Sequence, residues 1–286
     1  MLEERQIKEN LSWPEGRRIA VMLSFDFQGG EDLRPNKNGI MNHEQWTQAE
    51  YGPRTGIWRI LRILDECGVK ATFLTCGGIA ERYPDQVKAI VQHGHEVAGH
   101  GYHHEVARDL TKEQEREVIQ KTTAMIEKRA GKRPVGWRSC TQSPNSIELL
   151  MENGYLWNSN SFSYDLPFLW DHEKRTLVEL PRQPFGDGRA YGHGDSGNPN
   201  DALVIWKGMF DEFYEESKLG PAFCPFQFHP FISSRPGRAR ALKEIIQYMK
   251  KHEGVWFAKG SEVAELALKL DAKSSRKAIL KEAIAS

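Results

Sequence analysis

No apolar run in the 286-residue sequence approaches the roughly 20 residues that a membrane-spanning helix needs, so no span is expected. Neither sign of charge is in excess. The 39 Lys and Arg offset 39 Asp and Glu, and no basic surplus points to nucleic acid or to an anionic membrane surface. Cysteine is scarce, and Cys67, Cys76, Cys140 and Cys224 form no C-x-x-C pair, which argues against a structural zinc knuckle. The first residues, MLEERQIKENLSWPEGRR, lack the apolar segment of a secretory signal, so the expected setting is cytoplasmic with reduced thiols. Internal repeats and low-complexity linkers are also missing.

What is present is an ordinary globular composition in which short apolar runs alternate with helical patterns. Strands are expected at 19–27 (IAVMLSFDF), 71–76, 95–101, 135–139, 177–183, 224–231 and 255–260. Between them, TGIWRILRILDECG carries apolar residues at 57, 60, 61 and 64, a helical stripe. A second helix is expected to start at an N-cap Thr111 and to stop at Gly131. Continuous strand–helix alternation implies an α/β fold with a parallel sheet of about seven strands, and favours a single barrel-like domain. The domain is expected to span 1–286, with its core at about 15–265 and a peripheral or frayed tail at 271–286.

The stretch GHEVAGHGYHHEV holds four histidines, of which His100 and His104 stand four apart. One helical turn would bring such a pair onto one face, close enough to share a metal ion. In parallel α/β folds the functional groups gather at the C-terminal ends of strands. Asp26, the pair His100 and His104, Arg138 and His229 all fall at or just past such ends, on separate strands. His95 and His103 are expected to be structural.

Four motifs in order, SFDFQGGED, ATFLTCG, GHEVAGHGYHHE and FQFHPFISSRPGR, resemble the polysaccharide deacetylase superfamily, also called the NodB-homology or carbohydrate esterase family 4 group. The similarity covers roughly 15–265. It implies a distorted (β/α) barrel and a hydrolase of non-peptide C–N bonds that uses one divalent metal ion, with zinc the first expectation. EYGPRTGIWRIL, GWRSCTQSPNS and SYDLPF resemble its cytoplasmic branch of peptidoglycan-deacetylase-like proteins, cyclic imide hydrolases and metal-independent allantoinases. That branch commonly forms tetramers, so a homotetramer or dimer is expected. The resemblance puts the metal on His100, His104 and Asp26. It also makes Asp26 a ligand or the base, and His229 the acid that protonates the leaving nitrogen. Many relatives carry Asp-x-Asp where this chain reads Asp26-Phe27-Gln28, so a second carboxylate is missing unless Glu31 or Asp32 swings in. Arg138 or Arg235 would orient the acid or hold a substrate carboxylate. Gln28, Glu31, Trp137, Tyr164 and Trp170 are the expected substrate-side residues, and a loop around His193 is expected to be either a mobile lid or a surface excursion. The substrate is expected to be a small cyclic imide, ureide or linear amide. An N-acetylated saccharide or peptidoglycan is the alternative, and a catalytically inactive binding barrel is the remaining one.

Overall fold

A computed structural model describes residues 2–33, 35, 37–191 and 197–285, with backbone alone for residue 10 and for 273–285. His193 lies outside the described residues. Among these residues the chain forms ten strands: β1 (Glu3–Gln6), β2 (Ile19–Phe27), β3 (Thr72–Thr75), β4 (Glu96–Gly99), β5 (Gly136–Trp137), β6 (Trp157–Asn158), β7 (Phe168–His172), β8 (Arg175–Glu179), β9 (Ala222–Phe228) and β10 (Val255–Phe257). Their order in the sheet is β1-β7-β8-β6-β5-β4-β3-β2-β10, with β9 pairing β2 along its other edge.

The seven expected strands are all present, and β2 matches its expected limits. The expected parallel sheet is there, and two further strands extend it antiparallel at one edge. β7 and β8 form an antiparallel hairpin, and β1 adds to β7 antiparallel, while the remaining contacts are parallel. The expected strand 224–231 ends earlier, at Phe228, because Pro230 opens the short helix Pro230–Ser233. The two expected helices appear as Ile57–Cys67 and Lys112–Ala130. Thr111 caps the second in a reciprocal box with Gln114, and Gly131 closes it at φ 70°. The tail continues a helix that begins at Gly260, whose Val263, Ala264 and Ala267 are buried.

The pleat of β2 sorts its side chains into two layers. Ile19, Val21, Leu23, Phe25 and Phe27 pack in the cluster shared with the helices. Ala20 and Met22 point the other way, into a second cluster with Leu74, Ala98, Trp157, Val178, Leu180 and Phe223. Those partners come from β3, β4, β6, β8 and β9, so the sheet curls until strands far apart in its order share one interior, as a distorted barrel does. The same inward face of β2 continues with Ser24 and Asp26. The interior is thus apolar at the strand starts and polar at their C-terminal ends, where its titratable groups collect.

Candidate active site

Asp26 is the centre of the polar end. Its side chain is 3% exposed, and Arg138 donates to Oδ1 at 2.7 Å. Gln227 donates from Nε2 to Oδ2 at 2.6 Å. The Nε2 atoms of His100 and His229 stand 4.0 and 3.9 Å from the same Oδ2. Burial by itself would raise the Asp26 pKa. The positive charge of Arg138, helped by His100 and His229, outweighs it and holds the carboxyl well below the usual range. Asp26 is therefore a carboxylate at any working pH.

Arg138 is fully engaged. Beyond Asp26 it donates to Ser24 Oγ, the Ser159 carbonyl and Ser159 Oγ at 2.9, 3.0 and 2.9 Å. It links β2 to the chain that follows β6, across the barrel. Its neighbour Trp137 must point the opposite way because strand side chains alternate, and it packs against Tyr155 on the helix side. This corrects the expectation that Trp137 lines the site.

His100 and His104 are neighbours, with ring centroids 4.7 Å apart, but no helix joins them. The chain after β4 is a loop that turns through positive φ at Gly101 (76°) and at His104 (53°). A non-glycine residue in that region is uncommon, and such strain collects at functional sites. His100 donates from Nδ1 to the Arg138 carbonyl at 2.6 Å, which leaves Nε2 as the lone-pair nitrogen. Burial keeps this imidazole neutral, pulling its pKa to about 3. Burial lowers His104 as well, against the charges of Asp32 and Asp26.

His229 stands at the other side of Asp26, just past β9. Its Nδ1 bonds Asp187 Oδ1 at 2.7 Å, and its backbone N–H donates to Asp187 Oδ2 at 2.7 Å. Ser233 Oγ donates to that same Oδ2 at 2.7 Å. Burial would lower the His229 pKa, but the buried Asp187 carboxylate outweighs it and the net shift is upward. The structure thus holds one imidazole neutral and one biased towards its cation, on either side of one carboxylate.

The other expected residues lie elsewhere. Arg235 donates to the Phe231 and Gln48 carbonyls and stacks 3.8 Å over Tyr51, fastening the helix Pro236–Met249 to His43–Tyr51. Tyr164 donates to Glu4, and Trp170 donates to Glu179. Glu31 is held by Arg82 at 2.7 Å and by His103 at 2.6 Å, so it does not supply the missing carboxylate. His95 accepts from the Ala71 amide. Sequence reasoning missed Asp187, Gln227, Ser159 and Arg182. Gln227 could have been found, because it shares an inward face with His229 two residues on.

A divalent metal finds suitable donor types here. His100 Nε2 and Gln28 Oε1 are buried with no hydrogen-bond partner among the described residues, and the His104 ring lies beside His100. Two imidazoles and an oxygen donor suit such an ion. Among the described residues no three His, Cys, Asp or Glu side chains already form a metal-binding group. The oxygen would come from Asp26, which Arg138 and Gln227 engage, from the Gln28 amide, or from Asp32, whose charge reaches His104.

Residues 48–155 match the family model described as polysaccharide deacetylase. A peptidoglycan deacetylase of Helicobacter pylori is 28% identical over 88% of this chain and 97% of its own. A solved structure from Mycobacterium smegmatis, assigned to the polysaccharide deacetylases, is 31% identical over 92% of this chain and 94% of that one, with a TM-score of 0.83. The structure of Puue allantoinase is 27% identical over 89% and 91% of the two chains, with a TM-score of 0.82. With its curled sheet and its buried Asp26 between two histidines, the chain belongs to the polysaccharide deacetylase family, whose members hydrolyse C–N bonds.

Proposed function

We propose that this protein hydrolyses a small amide, either a cyclic imide or ureide or a linear amide, at the Asp26 end of the barrel. The observation that carries the reading is the size of the space beside His229. A cavity of about 240 Å³ is lined by Phe162, Arg182, Gln227 and His229 among others. That volume falls below the usual range for a drug-sized ligand pocket and holds a compact molecule, whereas a glycan of several sugars would have to run on past its open side. The similarity to an allantoinase supports this reading. The peptidoglycan deacetylase relative supports a second reading, deacetylation of an N-acetylated saccharide.

In either case the bond broken is a carbonyl C–N bond. Asp26 takes a proton from the attacking water, and Arg138 keeps that carboxylate ionised and aimed. His229 gives a proton to the departing nitrogen, which leaves poorly as an anion. Deacetylases of the family generally depend on a divalent metal. His100 and His104, with an oxygen of Asp26, Gln28 or Asp32, would hold it here. When bound, it would polarise the carbonyl and lower the pKa of water. Zinc is the first candidate for a site with two imidazole donors.

The discriminating experiment is a competition between succinimide and an N-acetylglucosamine oligomer. Succinimide is expected to show the higher kcat/KM. The reverse order would transfer the assignment to saccharide deacetylation. For the metal, purified protein is expected to hold about one equivalent, and His100→Ala is expected to lose it by elemental analysis. A metal-free protein whose activity is indifferent to chelators would remove the ion from the mechanism.

A further inference from the structure

The polar end of the barrel holds two guanidinium groups but commits only one of them. Arg138 spends its donors on Asp26, Ser24 and Ser159. Arg182 follows β8 on the inward alternation set by Val178 and Leu180, and this brings it to the same end. It has no ion-pair partner among the described residues. Among the described residues its one side-chain hydrogen bond is long, 3.5 Å from Nη1 to Gln227 Oε1. Its Nε is buried with no hydrogen-bond partner among the described residues. Its guanidinium lies 4.5 Å over the Phe162 ring, which is 55% exposed.

A partly buried guanidinium that lacks a carboxylate is costly unless something else supplies the charge. The nearby carboxylates are already taken. Asp26 is bonded by Arg138 and Gln227. Glu179 accepts from the Asn158 side chain, from the Asn160 and Ser161 amides and from Trp170. Asp187 faces His229 and Ser233. No carboxylate at this end accepts a hydrogen bond from Arg182 among the described residues, and the exposed Arg189 lines the same cavity. Arg182 remains a cation at neutral pH, although burial and the proximity of Arg138 pull its pKa down to about 10.

We propose that Arg182 is the anchor for a carboxylate carried by the substrate, so that the molecule hydrolysed here is a small anionic amide. Phe162 holds the guanidinium plane, and the two Nη atoms, rather than the enclosed Nε, form the fork that a carboxylate matches bidentately. Arg182 lines one cavity with Gln227 and His229, and these reach Asp26, so an anchored carboxylate sits in the space that holds the scissile carbonyl. Arg182 would thereby set specificity without taking part in proton transfer. The assignment rests on the small-amide reading above, but its test reads binding rather than turnover.

The probes are N-acetylglycine and its neutral isostere N-acetylglycinamide, titrated calorimetrically into the whole protein in low-chloride buffer. The native protein is expected to bind N-acetylglycine about 10- to 100-fold more tightly, the range of a charge-assisted bidentate contact. Arg182→Gln is expected to erase that preference, bringing the two probes to similar affinities. Arg182→Lys, which keeps the charge but loses the fork, is expected to fall between and serves if the glutamine variant folds poorly. Equal binding of both probes by the native protein overturns the proposal, and so does no binding of N-acetylglycine at millimolar concentration. A preference that survives Arg182→Gln but vanishes in Arg189→Gln also overturns it. If the charge preference holds while no small amide is hydrolysed, the anchor stands and the proposed reaction falls.

Discussion

Asp26→Asn is expected to lower kcat/KM by about 10²–10⁴-fold on whichever amide the protein turns over, the range for losing a positioned general base. Folding should survive, for a structural reason. The asparagine oxygen can still accept from Arg138, and Gln227 can flip its amide to present Oε1 where Nε2 now donates. Both substitutions remove the charge opposite Arg138, but Asp26→Ala also removes the acceptor and leaves the buried guanidinium with nothing to donate to there. That variant should lose about 3–5 kcal/mol of stability, the usual cost of breaking a buried ion pair from one side. The two substitutions therefore separate chemistry from architecture. Metal analysis of Asp26→Asn then separates base from ligand: a retained equivalent assigns the base, and its loss assigns the ligand. More than a tenth of native activity in Asp26→Asn would sink both roles. An unchanged melting temperature in Asp26→Ala would mean that the Arg138 pair adds nothing to the fold.

Asp26 could be read from the sequence because two simple regularities meet there. The period of two in IAVMLSFDF puts Ser24 and Asp26 on the face of Ala20 and Met22, and the parallel fold puts the strand's end at the functional rim. The histidine pair was legible as a pattern, but the spacing carried the wrong local picture. Positive φ at Gly101 and His104 makes a loop, so the rings meet without a helical turn. The two-residue strand Trp157–Asn158 was illegible because so short a run shows no period, whereas Gly136–Trp137 was found inside the longer run VGWRS. β1 reads EERQ, exposed throughout, and an edge strand with no buried face leaves no apolar signal. The β7–β8 hairpin turns at Glu173 with φ 54°, where glycine or asparagine would normally mark a turn. Arg182 was recoverable, since Val178 and Leu180 set the phase that carries it inward. Asp187 was not recoverable. It lies 42 residues from His229 on the short helix Asp187–Ala190, and no periodicity ties the two together.

The Asp187–His229 pair is where a change at one residue should be read out at another. Deleting the imidazole with His229→Ala is expected to cost about 10²–10⁴-fold in kcat/KM if it donates the proton to the leaving nitrogen. Asp187→Asn leaves the imidazole in place and changes its titration. The acid form of His229 is the working form, so activity should persist up to its pKa and fall above it. In the native protein Asp187 outweighs burial and raises that pKa, which extends the active range towards alkaline pH. Asparagine removes the charge, leaves burial unopposed, and should move the alkaline limb of the kcat/KM profile to lower pH. The sign is fixed by which form is needed: a general base would gain from the same substitution at neutral pH, and a general acid must lose. Ser233→Ala removes one of the hydroxyl and amide donors that compete for Asp187, without touching its charge, and should leave the limb nearly where it was. An alkaline limb that stays fixed in Asp187→Asn, in a variant with native-like melting, would show that His229 is not the group titrating there and would reduce it to a packing role beside Asp26.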